Sequence, residues 1–190
     1  LHPNFPGKEL FNYLLMCLSN MEDKGMRIFP AHRVVSGLAG FDPAAFLGRL
    51  ADYFDIESLA FDPRDAEQIL ALRARLSDLG SCQHTLALYT GDGRIHYLCL
   101  RDEGVMDEFF DAKTPKVLRT LDISILHCLL LERLLGIASD DSERLRYIRR
   151  IDEALGLVEG QGAQLAFLVN PTCMSEVRDV ANAGEKMPQK

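Results

Sequence analysis

Residues 163–190 read AQLAFLVNPTCMSEVRDVANAGEKMPQK: a strand, a turn, a helix and a basic tail. The run LAFLV at 165–169 is apolar at every position, which suits a central strand covered on both faces. Asn170-Pro171 breaks it, because Pro171 has no amide hydrogen to give a ladder. Thr172 reads as the cap of a helix with apolar positions at Met174, Val177 and Ala181, and Gly184 reads as its left-handed stop. A strand that feeds a helix through a tight polar turn leaves free amides able to hold an anion. A plain capping role for Thr172 is the simpler alternative. The sequence stops on Lys190 directly after Met-Pro-Gln, and is expected to be a piece of a longer protein.

Working outward, Gly160-Gln161-Gly162 turns the chain into that strand from a helix spaced by Ile151, Leu155 and Val158. Before it lies an apolar helix over 123–135, capped by Asp122 and closed by Gly136, with His127 as a packing residue. A short strand is expected at Tyr147 and Ile148. Asp42-Pro43 and Asp62-Pro63 each offer a cap with proline at the first helical position. A strand is expected over 56–61, and two more, 84–90 and 94–101, meet at Gly91-Asp92-Gly93, a hairpin signal. His84 and His96 are expected on opposite arms of that hairpin, facing each other across it, in structural or surface roles. At the start, 11–19 and 26–29 read as a hairpin around Met21-Glu22-Asp23-Lys24-Gly25. His32 and Arg33 then project beyond Pro30. The expected fold class is α+β: mixed sheets with packed helices, a hairpin start and a small β-α-β-α-β-β lobe. Three parts are expected: 1–40, 41–115 and 116–190.

Of the 190 residues, 47% are hydrophobic and 26% charged, which fits a globular chain rather than a disordered one. The formal charge is −7, and Arg144, Arg146, Arg149 and Arg150 lie among acidic residues, so a solvated, salt-linked surface is expected there. No concentrated basic face for nucleic acid is expected. No apolar run approaches membrane-spanning length. The five cysteines form an odd set without metal-ligand spacing, so buried, reduced thiols and a cytoplasmic location are expected. Neither a Walker loop, nor a dinucleotide fingerprint, nor a nucleophile elbow occurs.

Three segments carry a resemblance. NPT at 170–172 followed by EVRDVANAGEKMPQK at 176–190 looks like the C-terminal signature of the domain of unknown function 1015 family, found mostly in bacteria and archaea. FNYLLMCLSNMEDKGMRIFPAHRVV at 11–35 is similar to that family's stretch ending in Pro-x-His-Arg, here Pro30, His32 and Arg33. DISILHCLLLERLLG at 122–136 resembles its Leu-His segment. Family members also carry an Asp-Gly-His-His-Arg segment upstream and Ser-Thr with aromatics downstream. Neither segment is in this sequence, so any site they build is incomplete here.

The upstream segment is in turn similar to one in free-serine kinases of the ParB and sulfiredoxin-like group. The resemblance therefore implies part of a small-molecule, amino-acid-like phosphotransferase using Mg²⁺ and a nucleotide. In that reading His32 orients or accepts a proton, Arg33 and Lys190 supply cations, and Asn170 and Thr172 offer polar ligands. No metal site is expected within this sequence itself. The alternative is a non-catalytic module that binds a small anionic metabolite or a partner protein. The catalytic reading requires a site shared among His32, Arg33, Asn170 and Lys190, so that the first hairpin and the last turn must meet in space. The binding module needs only the anion-friendly turn and an apolar edge.

Overall fold

The computed structural model describes residues 13–21, 23, 25–138 and 141–188. Its frame is one sheet of six strands: β1 (His32–Val35), β2 (Phe54–Ala60), β3 (Thr85–Tyr89), β4 (Arg94–Leu100), β5 (Leu145–Ile148) and β6 (Leu165–Leu168), in the order β2-β4-β3-β6-β1-β5. Every pairing is antiparallel, so one antiparallel sheet replaces the mixed sheets expected from sequence. The class is α+β, as expected.

The apolar run at the end of the chain is central, as its composition implies. β6 lies between β3 and β1, and all four of its residues are buried. Alternation along the strands then makes two cores. Val35, Leu86, Leu88 and Phe167 pack on one face against Leu126, Leu129 and Leu130. Val34, Ala87, Tyr89 and Leu168 pack on the other against Leu72, Leu76, Ile151 and Leu155. Burying each such leucine contributes about 1.5–3 kcal/mol.

The helices follow their punctuation closely. α1 (Pro43–Leu50) starts with proline in its first turn, and the Asp42 side chain accepts from the Ala44 amide. α2 (Ala66–Gly80) is capped by Asp65, three residues after the expected Asp62, because Asp62 is taken by a turn in which it accepts from the Arg64 amide. A 3₁₀ turn (Glu103–Phe109) and α3 (Lys116–Arg119) form the connector. α4 (Asp122–Ser124) continues as a wide π-helix (Ile125–Leu134), and Gly136 ends that helical stretch at φ +67°. Next comes α5 (Ile151–Glu159), and α6 (Met174–Asn182) ends before Gly184 at φ +77°.

Three further expectations are corrected. No strand forms at 13–20 or 26–30; residues 11 and 12 of the expected hairpin lie outside the described set. β1 is already flanked by β5 and β6, so it has no free edge for that hairpin, and Leu14, Leu15 and Leu18 stand in solvent. Second, His84 and His96 do not face each other, since β-register places His96 opposite Leu88 while the Leu100 amide donates to the His84 carbonyl. Third, the cysteines are free thiols but not buried ones: Cys17, Cys82 and Cys173 are exposed. No helix among the described residues is long and apolar enough to cross a membrane.

Candidate functional site

The start of β1 and the turn after β6 do meet. β1 pairs with β6 in the register Arg33↔Phe167, which carries the segment before β1 alongside the Asn170-Pro171-Thr172 turn. Between them lies a cavity of about 210 Å³, closed on its remaining sides by the start of α4 and by α6. That is below the roughly 300–1,000 Å³ of drug-sized pockets and suits a compact metabolite. Arg33, Asn170 and Thr172 line it, together with Asp122 and Glu176.

Arg33 is fully buried. Strand alternation points it to the π-helix side, where its Nε donates to His127 Nε2 at 3.2 Å and its Nη2 donates to the same atom at 2.9 Å. Its Nη1 donates to the Ala31 carbonyl, and the guanidinium lies 4.5 Å from the centre of the Tyr147 ring. Burial pulls the guanidinium down to about 10, with Tyr147 opposing the shift. None of the ion pairs among the described residues involves Arg33. A buried cation without a carboxylate is costly, and an anion in the cavity would relieve that cost.

His127 accepts from a permanent donor, so it is neutral with its proton on Nδ1. Burial, aided by Arg33, lowers it to about 4. His32 belongs to the opposite face of the sheet. Its Nδ1 accepts from the Val169 amide at 3.2 Å, its Nε2 has no partner among the described residues, and burial with Arg73 and Arg33 lowers it to about 4. It does not line the cavity that Arg33 lines.

Asn170 lines the cavity yet ties the turn to α2, its Nδ2 donating to the Leu76 carbonyl at 2.9 Å. Thr172 is not the cap of α6. That position is Cys173, whose amide donates to Glu176 Oε2 at 2.7 Å. Lys190 lies outside the described residues.

Sequence reasoning missed Asp122, Glu176 and His84. Asp122, expected as a cap, is the first residue of α4, and its Oδ1 accepts from His84 Nδ1 at 2.7 Å. That hydrogen bond raises His84 above the usual imidazole value, and the charges of Asp122, Glu103 and Glu176 add to it against burial. His84 Nε2 also reaches Glu103 at 3.4 Å, and Glu103 pairs with Lys116 at 3.1 Å. The pairing joins positions 38 residues apart, so no local motif announces it. Among the described residues no three His, Cys, Asp or Glu side chains come close enough to hold a metal ion.

A family model described as "Protein of unknown function (DUF1015)" matches residues 2–124, an interval that includes Arg33 and Asp122. No curated protein and no solved structure matches the chain.

Proposed function

Because the chain belongs to the DUF1015 family of proteins of unknown function, we propose a role that rests on its geometry: it binds a small anionic metabolite in the cavity lined by Arg33. The observation that carries this is the fully buried Arg33 guanidinium, held in place by His127 and Ala31 and without a carboxylate among the described residues. Planar guanidinium groups pair with carboxylate and phosphate through parallel hydrogen bonds, and fixing the group beforehand lowers the entropic cost of binding. The 170–172 turn completes the wall. We place the protein in the cytoplasm, since exposed thiols such as Cys17 and Cys82 suit a reducing compartment.

The test is calorimetric titration of the chain with inorganic phosphate and with short monocarboxylates, in parallel with Arg33→Met. Saturable binding that disappears in the variant supports the proposal. Equal heats with and without Arg33 would sink it.

A second reading, part of an amino-acid-like phosphotransferase, is favoured by Asp122. A carboxylate in the same cavity, held by His84, is the kind of group that accepts a proton from a substrate hydroxyl. Mg²⁺ is usually held by one or two carboxylates with substrate phosphates and water, and Asp122 and Glu176 are the carboxylates of this cavity that could take that part. Phosphorus NMR of the full-length protein with Mg²⁺, ATP or ADP and pooled amino acids tests this reading. A new phosphate ester lost in Asp122→Asn supports it, and no ester under either nucleotide counts against it.

A further inference from the structure

Resting on the assignment of an anion to Arg33, we infer that the ligand is dipolar: its anionic group meets Arg33 and a protonated amine at its other end meets Asp122 and Glu176. The three side chains line one cavity. Arg33 is the observation that points to a ligand, because its buried charge lacks a carboxylate partner among the described residues while two carboxylates line the same cavity.

Each of those carboxylates has one oxygen engaged. Asp122 Oδ1 accepts from His84 and Glu176 Oε2 accepts from the Cys173 amide, both at 2.7 Å. Among the described residues, Asp122 Oδ2 and Glu176 Oε1 have no hydrogen-bond partner, so each can accept from an ammonium group. Both carboxylates act on the Cys173 thiol, raising it behind the larger effect of burial.

A simple anion entering this cavity meets attraction from Arg33 and repulsion from Asp122 and Glu176. A ligand with an amine at the far end meets attraction from all three, and the opposed charges select against plain acids. Ile28, Val169, Val177 and Met187 offer apolar wall for a short carbon skeleton between the charged ends. The ligand class is therefore a compact amino acid, and the cavity sets the spacing of its charges.

The experiment is a calorimetric series on the chain. Glycine, L-alanine, β-alanine and γ-aminobutyrate are each compared with the acid lacking the amine: acetate, propionate, propionate and butyrate. At least one amino acid should bind ten-fold or more tightly than its counterpart. Asp122→Asn and Glu176→Gln should each reduce that ratio several-fold, without weakening the plain acid. Melting temperatures identify a variant that fails to fold, and the other variant then decides. If the plain acids bind as tightly as the amino acids, the dipolar ligand is wrong and the Arg33 anion site stands. If no acid, amino acid or phosphate binds, both fall.

Discussion

Arg33 and His127, 94 residues apart in sequence, are joined twice: Nε and Nη2 of the guanidinium both donate to the single atom His127 Nε2. One neutral imidazole thus orients a buried cation without neutralising it. The contact crosses from β1 to the π-helix, a winding often found at functional sites. A residue kept charged, buried and fixed in this way is what the proposed anion site rests on.

Arg33→Met separates these roles. Replacing a buried charge by an apolar side chain of similar length is often neutral, although here it leaves His127 and Ala31 without their donor. The unfolding free energy should change by no more than about 2 kcal/mol, while anion binding is lost. Urea unfolding checks it, and a loss well above that range would make Arg33 a structural residue.

Acid should weaken the fold through two histidines. His32 and His127 are lowered to about 4 by burial, so between their unfolded value near 6.5 and about 4 the unfolded chain binds more protons. Their contribution is full above 6.5 and is lost as pH falls through 4, on the order of 3 kcal/mol each. His84 acts oppositely: its pKa is raised, so its contribution is full below 6.5 and is lost as pH rises through the folded value. Unfolding measured from pH 7 to 4 should show the loss, and His127→Gln, which keeps an acceptor but does not titrate, should flatten the slope.

Gly80 and Asn170 should be coupled with a change of sign. A Cβ on Gly80 would stand 2.1 Å from Asn170 Nδ2, which donates to Leu76. Gly80→Ala alone should cost about 1–3 kcal/mol by displacing that amide. In an Asn170→Ala background the clash is gone, and the same change should stabilise by about 0.5–1 kcal/mol, as alanine does in a helix. A double-mutant cycle measures this. Additive effects would mean that the contact carries no energy.

At His32 the Val169 amide is the group at risk. His32→Asn can keep an acceptor where Nδ1 stands and removes the unpartnered Nε2, so it should be nearly neutral in stability and in anion binding. His32→Leu strands a buried amide and should cost about 1–3 kcal/mol. Equal losses in the two variants would show that the hydrogen bond is not what holds His32.

Much of the frame was legible because its signals are local. The apolar run ending at Val169 suits a covered strand better than an edge one, the Ile151, Leu155 and Val158 spacing gave α5, and Gly91 and Gly93 at positive φ mark the β3–β4 hairpin. The start of the chain misled because Leu14, Leu15 and Leu18 are apolar but unburied, and hydropathy does not report whether an edge is free to pair. Arg33, Asn170 and Thr172 were singled out from sequence, and all three line one cavity. Asp122 was read only as a cap, because its partner His84 lies 38 residues away in sequence and an aspartate before an apolar helix reads first as a cap.

The most direct measurement follows the Arg33 Nε–H proton by NMR while acetate, and separately phosphate, is added to the ¹⁵N-labelled chain. A saturable shift of that resonance, with the His127 ring keeping its neutral Nδ1–H form, is the predicted result. An Arg33 signal that stays unmoved by either anion at concentrations that shift exposed arginines would contradict the account.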